Sequence, residues 1–524
     1  MLDIEKKLNL VVSITNADIE SLNRDHVITT VLSPHTGKVV EITGDVDEAM
    51  KFALEGEKVT LDEETDRKLL RKIDLYVLPL ICILYATQFM DKLSNSYAAI
   101  LGLRKDLHMV GDMYSWTGSA FYLGYLAFEF PAAISLQRFP VVNTVAIYII
   151  IWGVILCLHS VPGYEGFIAL RTILGAFESA VTPAFVIVTA QWYKKEEVFL
   201  RTAIWFSFNG VGQILGPGAI AYNLYKHQDS YSMDAWKLIF IITGCITIVL
   251  GFAIFFHLPN NPTEAWFLTE HEKKLVVERI RGNQQGFGNK HFKKKQFIEA
   301  LTDMKTWLFF LVALATDIPN GGITNFGTIL LNESLGYTVL KTLLMSMVTG
   351  ACEVVGCISF AYCYRFYPVR MFWATLVSCL SVMNLCFLAF SSNHKLQMAG
   401  YTMYGYSPVL FICILSSVAS NIAGHTKKVT VNAIFLIGYC VGNLIGPQTF
   451  VAKQAPNYAG AKAAMVACGI VATLAMIAIW ILYVKENKKR DAESDEQKLV
   501  FEAIENHEFA DLTDKENPLF RYTV

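Results

Sequence analysis

Seven ionisable residues lie inside long apolar stretches of this chain: Asp91, Lys92, Glu129, Arg171, Glu178, Asp317 and Glu353. At the centre of a bilayer each such charge costs roughly 2.5–3.5 kcal/mol, so each needs a partner or a wet cavity. Arg171 is suited to hold a carboxylate, because a guanidinium offers two parallel N–H donors. Lys92 is the second candidate cation. A carboxyl group can carry a proton between two states, since burial favours its neutral form and a nearby cation its charged form. Glu178 lies two helical turns after Arg171 on the same helix face. It is one candidate proton carrier, and Asp91, beside Lys92, is the other. Both pairs also fit a static network that locks helices together. Glu129, Asp317 and Glu353 read as gating or structural groups. Asn95, Tyr122, Asn209, Asn320 and Asn432 are candidates to line a substrate chamber, with Gln213, Asn325 and Asn443 beside them. Singly, each of these serves equally well as an interhelical hydrogen bond.

The elements that position these groups are membrane spans. Hydrophobic residues make up 53% of the 524 and charged ones 17%, against roughly 25% charge in a soluble domain. A bilayer is crossed by about 20 apolar helical residues, because every backbone polar group must be satisfied internally. The pattern predicts spans over 75–102, 113–135, 143–161, 165–190, 199–222 and 236–258, then 306–331, 341–363, 368–390, 397–420, 428–450 and 460–484. The fold class is therefore an all-α membrane protein of twelve transmembrane helices in two six-helix bundles. Residues 1–72 form an N-terminal tail, 73–258 and 306–484 the bundles, 259–305 a linker and 485–524 a C-terminal tail.

Short-flank Lys and Arg favour the side of the tails and linker by about three to one. That bias predicts both termini in the cytoplasm. The tails are acidic, as at 45–48 and 62–66, and read as regulatory or disordered. Within the linker, Leu275, Val276 and Ile280 among charges predict an amphipathic helix on the inner membrane face or a solvated connector.

The two halves echo one another. Gly216-Pro217 in span five and Gly446-Pro447 in span eleven are 230 residues apart, and Glu129 and Glu353, in spans two and eight, are 224 apart. Transporters often carry such repeats, with substrate held near the midplane between them. Small residues allow close helix contacts, and proline bends a helix. The run Pro319-Asn320-Gly321-Gly322 is expected to interrupt span seven.

Other classes are disfavoured. A formal net charge of −2 provides no basic field for nucleic acid. The polar first ~70 residues do not resemble a cleaved signal peptide. The 11 cysteines show neither CxxC nor zinc spacing, so no metal or cofactor is expected. His159, His257 and His425 fall at span ends, and no nucleophile–base motif points to an enzyme.

The chain resembles the major facilitator superfamily and, within it, the fungal allantoate permease branch of the anion:cation symporters. The resemblance runs from Leu69 to the C-terminus and rests first on Phe89-Met90-Asp91-Lys92 with Asn95. It continues through Arg171-Thr172-Ile173-Leu174-Gly175-Ala176-Phe177-Glu178, Pro183, Gln191-Trp192-Tyr193 and Arg201. Linker residues 283–288 (NQQGFG), Gly446-Pro447-Gln448, Lys453-Gln454-Ala455-Pro456, and the tail motifs at 511–514 and 520–522 are similar to the same branch. Two departures stand out. The loop after span two is reduced to Gln137-Arg138-Phe139-Pro140, and Lys92 stands where many relatives have Arg.

The resemblance implies a plasma-membrane, proton-coupled importer of small organic anions, working by alternating access in the lipid bilayer and complete as a monomer. Allantoate and ureidosuccinate are family substrates, and dipeptides are carried by near relatives. Two alternatives stay open: import of a vitamin-type carboxylate such as nicotinate, and a nutrient sensor that does not transport.

Overall fold

The computed structural model describes residues 27–32, 39–43, 62–281, 292–492, 512–517 and 519–524. The acidic stretch at 45–48 and the linker motif at 283–288 lie outside them. Strands Val27–Leu32 and Val39–Thr43 pair as an antiparallel hairpin; among the described residues every other regular element is helical.

Span one, Leu78–Ala98, continues helix Glu63–Tyr76 and ends in a π-helical turn, Ala99–Leu103. Spans two and three are Met113–Arg138 and Val141–Leu158. Span four is two helices, Tyr164–Glu178 and Val181–Trp192. Span five runs Lys195–Leu215, then a π-helical turn, Gly216–Ala221, then Tyr222–Lys226. Span six is Ala235–His257. Span seven is Met304–Ile329 with its π-helical end Leu330–Ser334. Spans eight and nine are Val339–Tyr364 and Arg370–Phe390. Span ten joins His394–Met403 to Pro408–Asn421, span eleven is His425–Gln448 and span twelve Ala459–Asp491. By length and composition, 11 helices among the described residues suit a membrane crossing. The twelfth, span five, is long enough but is diluted by Asn209, Gln213 and its glycines.

The expected interruption of span seven at Pro319 does not occur: one helix runs from Met304 to Ile329. The glycines there serve packing instead. A Cβ on Gly321 would sit 2.7 Å from the Asn443 carbonyl, so span eleven can only lie this close against glycine. The breaks fall elsewhere, after Glu178 in span four and at Tyr404–Tyr406 in span ten.

The two halves meet along spans five and eight, and along spans two and eleven. At the first seam Gly210 and Gly350 face each other, and a Cβ on Gly350 would lie 2.6 Å from the Gly210 carbonyl. At the second, Ser119 Oγ donates to the Leu444 carbonyl at 2.9 Å.

Helix Glu63–Tyr76, which leads into span one, and residues 512–517 and 519–524 lie at one face of the bundle. There, helix Glu63–Tyr76 and linker helix Glu270–Arg281 clasp the first half. Arg279 pairs with Asp66 at 2.7 Å and with Glu197, and Lys194 also reaches Asp66, at 2.7 Å. Leu275, Val276, Val277 and Ile280 of the linker helix are buried against protein, which accounts for the apolar stripe without a membrane surface. In the second half the described residues of the C-terminal tail, 512–517 and 519–524, are docked on the bundle. Asp514 is fully buried, 2.6 Å from Lys427 and 3.3 Å from Lys305, and accepts from the Tyr522 hydroxyl. Arg490 donates to the backbone carbonyls of Asp514 and Phe520.

Candidate functional site

Successive residues turn about 100° around a helix, so Asp91 and Lys92 cannot face one partner. Asp91 points back into the first half, where its Oδ2 accepts from Trp152 Nε1 at 3.0 Å and Thr247 Oγ1 at 2.8 Å. Lys92 points toward span four, where its Nζ lies 2.9 Å from Glu178 Oε1. The lysine side chain is 12% exposed and the glutamate 0%. Gln88, one turn before Lys92 on the same face, donates to the same Glu178 oxygen at 2.9 Å. Glu178 Oε2 has no partner.

The cation that pairs with Glu178 is therefore Lys92, not Arg171. Two turns separate Arg171 from Glu178 along one helix, and Arg171 is drawn to span two instead. Its Nε donates to the Thr117 carbonyl at 3.0 Å and its guanidinium lies 5.1 Å from the centre of the Phe121 ring. Lys92 lies 5.8 Å from the same ring. Two cations thus lie near one aromatic ring, and Arg171 Nη1 has no partner. Thr117 also ties in Asn95, whose Nδ2 donates to Thr117 Oγ1 at 2.9 Å and reaches Asn325 Oδ1 at 3.4 Å.

The second half answers with a carboxylate–amide group. Asp317 Oδ1 accepts from Asn443 Nδ2 at 3.1 Å, and Asn320 Nδ2 donates to Asn443 Oδ1 at 3.0 Å. Asp317 Oδ2 has no partner. Tyr122 of span two and Tyr439 of span eleven meet across the halves, with ring centres 6.0 Å apart.

Between spans one, five, seven, eight and ten lies a small cavity of about 50 Å³. Phe89, Leu93 and Ser96 of span one, Gln213, Asn320 and Glu353 are among its walls. Neither Lys92 nor Arg171 lines it, but Lys92 projects from span one beside the face that Phe89 and Ser96 present. At the end away from the C-terminus the cavity is roofed by contacts between halves. Ser96 and Thr328 hydroxyls are 2.9 Å apart, Tyr114 donates to the Asn325 carbonyl at 2.7 Å, and Arg104 pairs with Glu333 at 2.7 Å.

The remaining candidates are dispersed. Glu129 is buried near Tyr125 and Cys440, away from that cavity, with Oε2 unpartnered. Asn209 is buried in span five, and Asn432 in span eleven leaves its Oδ1 unpartnered. Gly216 and Pro217 open the π-helical turn of span five, where Gly216 packs on Met90 and Tyr97. Gly446 lets span eleven approach the Ile318 carbonyl, and Pro447 sits in its last turn. Sequence reasoning missed Gln88, Thr117, Ser346 and Thr349. Gln88 alone had a signal, its four-residue spacing from Lys92.

A family model described as Major Facilitator Superfamily matches residues 81–447. The chain is 48% identical to the allantoate permease of Saccharomyces cerevisiae over 99% of this chain and 97% of that one. It is 50% identical to an uncharacterized transporter of Schizosaccharomyces pombe, covering 91% and 94%. To a thiamine pathway transporter of S. cerevisiae it is 32% identical, covering 88% and 87%. Among solved structures, a proton:xylose symporter superposes with a TM-score of 0.59 at 11% identity, covering 78% of this chain and 96% of that one. The Escherichia coli fucose:proton symporter gives 0.54 at 13%, covering 77% and 99%. At such identities these two likenesses speak to the fold alone.

Proposed function

This chain belongs to the Major Facilitator Superfamily and is a secondary transporter, not an enzyme; on that premise we propose that it imports small organic anions of the allantoate type by proton symport. Ureidosuccinate and dipeptides fall within the same proposal. The observation that carries it is the buried Lys92–Glu178 pair beside the chamber. An ammonium held there is available to a substrate carboxylate only if Glu178 releases it. Glu178 would then be an unpaired buried charge, a state costing several kcal/mol, and it takes up a proton instead. Anion binding and proton binding are thereby one event. Lys92 is the first contact for the carboxylate. Arg171, across Phe121 and with Nη1 free of partners, is the second. Tyr122, Asn320 and Asn443 offer hydrogen bonds from both halves, and Asn95, Asn209 and Asn432 belong to the same polar framework. Asp91, held by Trp152 and Thr247, is assigned here to the framework of the first half.

The Lys and Arg bias of the flanks supports placing the terminus-bearing face in the cytoplasm, at the plasma membrane. Each chain carries a whole chamber, which supports a monomeric unit. One proton with a monoanion moves no net charge and draws about 1.4 kcal/mol per pH unit. A second would add about 2.3 kcal/mol per 100 mV. The test is uptake of labelled allantoate by cells expressing the chain, with carboxylates, ureides and dipeptides as competitors. Saturable uptake that collapses with the proton gradient supports the reading; gradient-independent or unsaturable entry rejects it.

A further inference from the structure

The cavity between the halves has a chemistry that a carboxylate-binding site alone does not explain. Among the described residues its walls contain no Lys, Arg or His. They contain one carboxyl side chain, Glu353, placed near the middle of span eight. Glu353 is 2% exposed and its Oε1 has no partner. One and two turns earlier on the same helix, Thr349 and Ser346 also line the cavity, and Ser346 Oγ is likewise unpartnered. Asn320, Gln213 and Thr324 add neutral polar groups. A substrate carboxylate set here would meet another carboxyl group and no cation. An N–H donor would meet an acceptor that is buried and unsatisfied, the situation in which a hydrogen bond counts most. Lys92 stands beside this wall on span one, turned toward Glu178 of span four.

We propose that Glu353 is the acceptor for the N–H donors of the substrate, so that the chamber binds a bipolar molecule. The carboxylate lies toward Lys92, and a ureido, amide or ammonium group lies against Glu353 in the second half. A ureido group suits this wall, because its N–H bonds can meet the buried, unpartnered Oε1 of Glu353. A site built to bond such donors rejects an analogue lacking them, since its own buried group is then left unpaired. Glu353 is on this account a specificity residue that lies in the half opposite the cation. The inference rests on the transport reading given above and adds to it which end of the substrate each half recognises.

The test uses a matched pair of competitors against labelled allantoate in cells expressing the full chain. Ureidoacetate and 4-oxopentanoate have the same shape and charge, but the second carries CH2 and CH3 where the first carries NH and NH2. The wild-type chain is expected to be inhibited at least tenfold more strongly by ureidoacetate. In Glu353→Gln the ratio should fall to about two or three, through weaker inhibition by ureidoacetate with that by 4-oxopentanoate unchanged. A Glu353→Gln chain that keeps the wild-type ratio, or weakens both competitors equally, overturns the proposal. A wild-type chain that carries allantoate but does not distinguish the pair overturns it too, whereas failure of allantoate uptake in the wild type counts against the transport reading instead. Should Glu353→Gln not reach the membrane, Glu353→Asp, which withdraws the carboxylate by one methylene, is compared by thermal shift of the purified chain with each ligand. A preserved preference for ureidoacetate there also overturns the proposal.

Discussion

Glu178→Gln separates substrate binding from proton coupling. The glutamine keeps a side-chain oxygen for Gln88 but loses the charge that holds Lys92 at 2.9 Å. At an effective dielectric constant near 20, two charges at that separation attract by roughly 6 kcal/mol. Desolvation cancels much of this, and a charge-assisted hydrogen bond nets about 1.5–3 kcal/mol. In the wild-type chain a substrate carboxylate must displace that interaction. In Glu178→Gln it need not, so apparent affinity should rise by about 10- to 150-fold. The variant has no group at this position to take the proton. It should therefore exchange labelled for unlabelled substrate across the membrane but fail to accumulate it when a pH gradient is imposed. The assay is counterflow and gradient-driven uptake in proteoliposomes at matched protein content. Gradient-driven accumulation at the wild-type level, or an affinity weaker than wild type, would refute the coupling through this pair.

Arg171→Ala should reach the cell surface yet lose anion uptake; uptake with unchanged affinity would leave Arg171 a purely structural contact of Thr117 and Phe121. Asp91→Asn keeps acceptors for Trp152 and Thr247, so it should leave affinity within about twofold and alter thermal stability by no more than about 1–3 kcal/mol; a large loss of affinity would move Asp91 into the transport site. The docked tail makes a pH prediction. Burial pulls the Asp514 carboxyl upward, but Lys427 and Lys305 overcome this and hold it well below the usual carboxylate range. A depressed value stabilises the docked form at every pH above the free value near 3.8 and loses that contribution only as pH falls below it. Protease cleavage near the C-terminus should accordingly be constant from pH 8 to about 5 and rise below about 4. Asp514→Ala, which leaves two buried lysines short of a partner, should expose the tail at neutral pH, at a cost of about 3–5 kcal/mol.

The spans were legible because twenty-residue apolar windows have few other uses, and the structure places helices over all of them. Span seven shows the limit of local reading. Pro319 and the glycines after it suggest a break, yet a helix survives one lost backbone bond, and the glycines answer to span eleven, 120 residues further along the chain. The break in span four, at Ser179 after Glu178, falls four residues before Pro183, which has no N–H to give the Ser179 carbonyl. The ionisable residues were legible one by one, since each is costly in hydrocarbon. Their pairing was not. Asp91 and Lys92 are neighbours in sequence but diverge around the helix, and Arg171 and Glu178 share a face but stand two turns apart. The observed pair, Lys92 with Glu178, joins spans one and four and depends on how those helices cross. The docking of the last tail residues was not legible for a related reason. The tail's few apolar residues, among them Phe520 and Tyr522, are too sparse to signal a core, and its docking relies on buried lysines that belong to other spans.

The claim beneath the rest is that a buried ammonium beside the chamber receives the substrate's carboxylate. Its most direct test is labelled allantoate uptake by the purified chain in proteoliposomes, wild type against Lys92→Ala, competed by a carboxylate and by its neutral amide. The account predicts that the wild-type protein is inhibited by the carboxylate and hardly by the amide, and that Lys92→Ala loses both high-affinity uptake and that preference. Uptake by Lys92→Ala with normal affinity and an intact preference for the charged competitor would contradict it.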